Sequence, residues 1–232
     1  TTDPSTTIQV LNEIRDFPFY ANFKELELVR KNFAPLILNV FTKLDSMART
    51  PEISDFRKQL LEILTLLDFH FLTQSISPEF LNSFFKLVTD GTMDEMTTAV
   101  KFLRHAFESV DNPVKNPSYL LLAQHTLSAA EIRLRWLMDN PKSADYSAFF
   151  PFSTLLIVLN FCSNTWQAQL KEPVTKLLHS TEQFLLNTDF SQKSFRSYLP
   201  LIALKFKLTQ FLTGLIDSIS RDKQFRFLLD SY

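Results

Sequence analysis

Apolar residues recur three and four positions apart in nearly every window of the chain, and no sustained stretch alternates between apolar and polar with period two. The first spacing lines one face of an α-helix, whereas the second would line one face of a strand. The pattern predicts helix after helix, about ten or eleven in all. They run over about 5–16, 22–31, 33–48, 52–72, 78–89, 93–109, 118–138, 145–163, 173–187, 194–219 and 222–231. Connections are short, mostly about two to six residues. Several helix starts announce themselves as a capping residue followed by proline: Thr50-Pro51-Glu52, Ser77-Pro78-Glu79, Asn112-Pro113, Asn116-Pro117 and Asn140-Pro141. A Ser, Thr or Asn side chain satisfies an orphan amide there, Pro loses no hydrogen bond in the first turn, and a following acid favours the helix dipole.

Two of these helices are apolar on more than one side. Over 118–138, Leu120, Ala123, Leu127, Ala130, Leu134 and Leu137 form one stripe, with Leu122, Ile132 and Trp136 outside it. Over 194–219, Leu201, Leu204, Leu208, Phe211, Leu215 and Ile219 form a stripe, with Ile202, Phe206 and Ile216 off it. A helix apolar on two sides is packed between neighbours. Most Phe positions fall on such stripes, which reads as rings filling gaps between helices; a groove lined by rings for an apolar ligand or a partner helix is the other reading.

Composition narrows the chemistry. The chain has 232 residues, 45% of them hydrophobic and 21% charged, as in a globular protein long enough to bury a substantial core. It has 24 Phe but only 2 Gly, where average usage would give roughly 16 Gly. Glycine-rich phosphate loops are therefore close to excluded, because they need positive φ and close backbone approach. The net charge of −1 offers no general basic excess of the kind that meets a nucleic-acid backbone. The balance drifts from 11 basic and 15 acidic side chains over residues 1–110 to 9 basic and 6 acidic over 165–232. Lys193, Arg196, Lys205, Lys207, Arg221, Lys223 and Arg226 are therefore either scatter or a basic surface for an acidic partner.

The lone Cys162 has no partner for an internal disulfide and sits in the apolar run Leu155–Cys162. It reads as a buried, inert thiol in a reducing intracellular compartment, cytoplasm or nucleus. The longest apolar stretch, Ala148–Cys162, is interrupted by Pro151, Ser153, Thr154 and Asn160. It is shorter than the roughly 20 residues a span requires, so no transmembrane segment is expected. No secretory leader is read at the start, and the opening Thr1-Thr2-Asp3 suggests a piece of a longer chain.

No Walker loop, dinucleotide fingerprint, Gly-x-Ser-x-Gly or His-Glu-x-x-His occurs, no Cys pairs exist for zinc, and no His lies three residues after a Glu. Asp68 and His70 sit two apart, on different sides of a helix. His105 with Glu108 and His179 with Glu182 have the i, i+3 spacing of surface pairs. No enzyme activity, cofactor or metal site is expected.

Pro51-Glu52-Ile53-Ser54-Asp55-Phe56-Arg57-Lys58-Gln59-Leu60-Leu61-Glu62-Ile63-Leu64 resembles the second helix of a HEAT repeat: a Pro-containing acidic turn, a hydrophobic–Arg pair, then an apolar run. Asp90–Met96 followed by Thr97–Phe107 is similar but lacks the Arg after the hydrophobe. Pro51, Pro78, Pro113, Pro141, Pro173 and Pro200 add a loose repeat. The resemblance implies an all-α stack of antiparallel helical hairpins, an α-solenoid of HEAT/armadillo type, binding partners along an extended surface. Residues 1–232 are then one helical-repeat domain with a soft division at 111–118.

On this reading the chain is a protein–protein interaction scaffold or adaptor, part of a larger complex, holding a partner helix or extended peptide in a groove. The alternative is a closed helical bundle enclosing a lipid or other apolar ligand. Trp136 beside Arg133 and Arg135 combines residue types enriched in interface hot spots. Phe149, Phe150 and Phe152 flank Pro151 near a helix start, where partial exposure is expected.

Overall fold

The computed structural model describes residues 35–45, 47, 50–66, 76–109, 113–141 and 146–188. The expected helices at 5–16, 22–31, 194–219 and 222–231, and the end of the one expected over 52–72, lie outside them. Among the described residues the regular structure is helical and no strand occurs. Residues 35–45 form α1. Then come α2 (Pro51–Leu66), α3 (Pro78–Asp90), α4 (Met93–Glu108), a 3-10 turn (Pro113–Lys115), α5 (Pro117–Asp139), α6 (Tyr146–Thr165) and α7 (Gln167–Asn187). The chain divides into two compact units, Thr1–Tyr119 and Leu120–Tyr232.

The helix starts follow the capping chemistry. The Ser77 hydroxyl accepts from the Phe80 N–H at 3.1 Å, Thr50 from Ile53 at 3.4 Å, and the Asn116 side-chain oxygen from Ser118 at 3.0 Å. Asn140 behaves differently. Its side-chain amide donates to the Trp136 carbonyl at 2.8 Å, so it closes α5 instead of opening a helix. Thr92 begins α4 with a reciprocal cap: its hydroxyl accepts from the Glu95 N–H at 3.3 Å, and the Glu95 carboxylate accepts from the Thr92 N–H at 2.8 Å.

In the first unit α4 packs against both α2 and α3. Aromatic rings fill the interior, as the apolar stripes predict. Phe41 meets Phe80 at 5.5 Å between centroids, Phe80 stacks on Phe84 at 5.7 Å, and Phe84 meets Phe102 edge-on at 5.5 Å. All four are buried. Each such burial is worth roughly 1.5–3 kcal/mol, and each ring pair adds about 0.5–1.5 kcal/mol.

A buried ion pair lies within this apolar packing. Arg57 of α2 and Glu95 of α4 are 2% and 1% exposed, with Nη1 3.5 Å from Oε1. That is a charge contact without hydrogen-bond geometry. The other guanidinium nitrogen, Nη2, donates to the Leu44 carbonyl at the end of α1 at 2.6 Å.

In the second unit α6 packs against α7, from which the single residue Trp166 separates it. Leu155, Leu156, Leu159 and Cys162 of α6 are buried, as are Leu170, Val174 and Leu177 of α7. Helix α7 corrects the expected start at 173. It begins at Gln167 and carries Pro173 in its interior. The Trp166 carbonyl accepts from the Leu170 N–H at 2.9 Å, and both side chains are buried. Tertiary burial thus anchors a first turn that has no side-chain cap, and the proline leaves the Gln169 carbonyl without its helical donor. Within α6, Ser147–Thr165 is by length and composition apolar enough to cross a membrane, with a mean hydropathy of 1.3. Of that window 61% is buried against the rest of the protein, which is the burial of a core helix.

Candidate interaction surface

Nine large apolar side chains are exposed among the described residues, and four of them (Leu121, Ile132, Trp136 and Met138) belong to α5. The others, Leu36, Met47, Val114, Phe161 and Leu186, are spread over other segments, as is ordinary for a protein surface. Leu121 and Ile132 are eleven residues apart, about three turns, and Trp136 follows one turn later, so these three share a helix face. His125 and Ser128 lie between them on that face, and Met138 lies on another side. Burial pushes the His125 imidazole below its ordinary 6.5, so the ring is neutral at pH 7.

The opposite side of α5 explains why this face is outward. Leu122, Ala123, Ala130, Leu134 and Leu137 are buried and occupy the interior positions of the repeat. Leu122 joins that stripe, although it lies outside the one read from sequence. Ile132 and Trp136 do not join it: they remain 45% and 36% exposed.

Trp136 is held in place from below. The Arg133 guanidinium lies 4.6 Å from the centre of its ring. Arg133 is itself 2% exposed and donates through Nη2 to the Ala148 carbonyl of α6 at 3.4 Å. A cation over an indole face is worth about 0.5–2 kcal/mol, more when desolvated. The guanidinium contact backs a large aromatic that remains partly exposed.

These positions revise the expected contact set. Arg133 is not a surface contact but the support beneath Trp136. Phe149 and Phe152, expected to be partly exposed, are 1% and 0% exposed and meet edge-on at 5.4 Å between centroids. Pro151 is buried with them, and Phe150 is half-buried. The reason is that Pro151 lies inside α6 rather than at a free helix start. The Ser153 and Thr154 hydroxyls both donate to the Phe150 carbonyl, at 2.9 and 3.0 Å. Lys193, Arg196, Lys205, Lys207, Arg221, Lys223 and Arg226 lie outside the described residues, as do Asp68 and His70.

The remaining titratable groups form no reactive constellation among the described residues. Burial pushes the Cys162 thiol up to about 12, far from nucleophilic thiolate. Glu108 takes Arg104 as its ion-pair partner at 2.7 Å. His179 Nδ1 lies 3.6 Å from Glu182 Oε2 on α7. Among the described residues, no group of three or more His, Cys, Asp or Glu side chains is arranged to hold a metal ion. Comparison of the chain with protein-family models, with curated proteins and with solved structures finds no match.

Proposed function

We propose that this chain is a non-enzymatic protein-interaction module, built of HEAT/armadillo-like helical hairpins, that serves as a scaffold or adaptor within a larger intracellular complex. The observation that carries the reading is the outward face of α5, where Leu121, Ile132 and a Trp136 backed by Arg133 present apolar area to solvent on one helix. Such a face accepts the apolar side of a partner helix or an extended peptide. Tryptophan is among the residue types enriched in binding hot spots. The hairpin architecture draws support from Phe56-Arg57, the pair that carries the HEAT resemblance: one Arg57 side chain reaches both the end of α1 and the start of α4. The single reduced, buried Cys162 is in keeping with an intracellular setting. A bundle enclosing an apolar ligand is less well supported, because Phe41, Phe80, Phe84 and Phe102 of the first unit contact one another in series.

The test is an affinity capture from cell extract, read by mass spectrometry for proteins and lipids, with wild type beside Ile132→Asp and Trp136→Ala. A stoichiometric protein held by wild type and lost in both variants supports the reading. A bound lipid with no protein, or a protein held equally by all three, overturns it.

A further inference from the structure

Helices α2 and α4 pack together through apolar surfaces that do not by themselves define a register. Phe56, Leu60, Ile63 and Leu64 on α2 are buried, and so are Met96, Ala99, Val100 and Leu103 on α4. Apolar contact is non-directional. A slide of one helix by one turn, about 5.4 Å, exchanges one aliphatic side chain for another. Arg57 and Glu95 do not permit that exchange. The guanidinium donates to the Leu44 carbonyl at 2.6 Å while its second nitrogen faces Glu95 at 3.5 Å. Glu95 in turn is pinned by the reciprocal cap with Thr92. Shifted by a turn, both charges would be buried without a partner. A buried ion pair returns little net stability, because desolvation offsets the attraction, yet breaking one is severely costly.

We propose that the Arg57–Glu95 pair is a register lock for the first unit: it selects one stacking of α1, α2 and α4 against alternatives of similar apolar burial, and adds little to net stability. The lock acts on conformation and is independent of the interaction surface on α5.

The test uses the full 232-residue chain with Arg57→Met, Glu95→Gln and the double variant; glutamine keeps an acceptor for the Thr92 N–H. Each single variant strands one buried charge and lowers the thermal midpoint by about 10 °C. The double variant stays within about 5 °C of wild type, yet its α2 and α4 amides exchange at least about tenfold faster and its methyl resonances are doubled or broadened. If either single variant fails to fold, the double variant carries the test. Three results each overturn the proposal: single variants as stable as wild type, a double variant as unstable as the two losses combined, or a double variant with wild-type protection and one sharp set of resonances.

Discussion

Gly91 shows how a residue can be demanded by space alone. Its φ of −66° is open to any amino acid, but an added Cβ would overlap the Leu87 carbonyl oxygen, which accepts the Gly91 N–H at 2.9 Å to close α3. Backbone cannot swing aside as a flexible side chain can. Gly91→Ala is expected to cost about 1–3 kcal/mol, read as a lower urea midpoint with an unchanged slope. Cys162 makes an opposite kind of statement. With its thiol pushed up to about 12, almost none is ionised at pH 8. Native protein should react with iodoacetamide at least about a hundredfold more slowly than the urea-unfolded chain; equal labelling of the two states would show that the site is open to solvent. The inertness of Cys162 is legible in the sequence because it ends the apolar run that begins at Leu155. The burial of Phe149 and Phe152 is not, because periodicity identifies an apolar face without saying which faces have neighbours.

At the scale of the element, the existence of helices was readable and their ends were readable only where local chemistry decides them. Starts at Pro51, Pro78 and Pro117 carry their caps in the sequence. Thr92 with Glu95 is equally explicit once the three-residue spacing of a reciprocal cap is sought. The start of α7 is not local: Trp166 and Leu170 are held by burial, and Pro173, which looks like a beginning, is an interior interruption. The same division applies to α5. Trp136 is conspicuous by residue type, whereas Ile132 and Leu121 become part of a surface only once packing decides which side of the helix is covered. Removing a cap tests the local half of this account. Ser77→Ala and Thr92→Ala should each lower stability by about 1 kcal/mol. Ser180→Ala, at an exposed position within α7, should stay within about 0.5 kcal/mol of wild type. A Thr92→Ala variant indistinguishable from Ser180→Ala in urea titration would mean that the cap is not formed in solution.

For the whole molecule, the shifted groups define a window of pH. Burial lowers His125 from 6.5, and cap hydrogen bonds lower Glu52 and Glu79 from 4.5. In each case the unfolded chain takes up protons first, so the stability these groups supply is complete above those ordinary values and declines as pH falls through the folded ones. The decline begins below 6.5 with His125 and resumes below 4.5 with the carboxylates. Cys162 acts in the other direction. Raised from 9.0 to about 12, it contributes stability that is complete below 9.0 and lost as pH rises toward the folded value. Urea midpoints should therefore plateau between about pH 7 and 9 and fall on both sides, with the first acid step missing in His125→Gln. A midpoint that stays flat to pH 4 would sink this account.

The chain contains two tryptophans in contrasting settings. Trp166 is buried at 6% exposure, and Trp136 stands at 36%. Native fluorescence is therefore the sum of a shielded emitter and an accessible one, and acrylamide or iodide should quench only the second. Anything that settles on α5 will shift that component to the blue and protect it from quencher, so the protein carries its own optical titration for whatever it binds there.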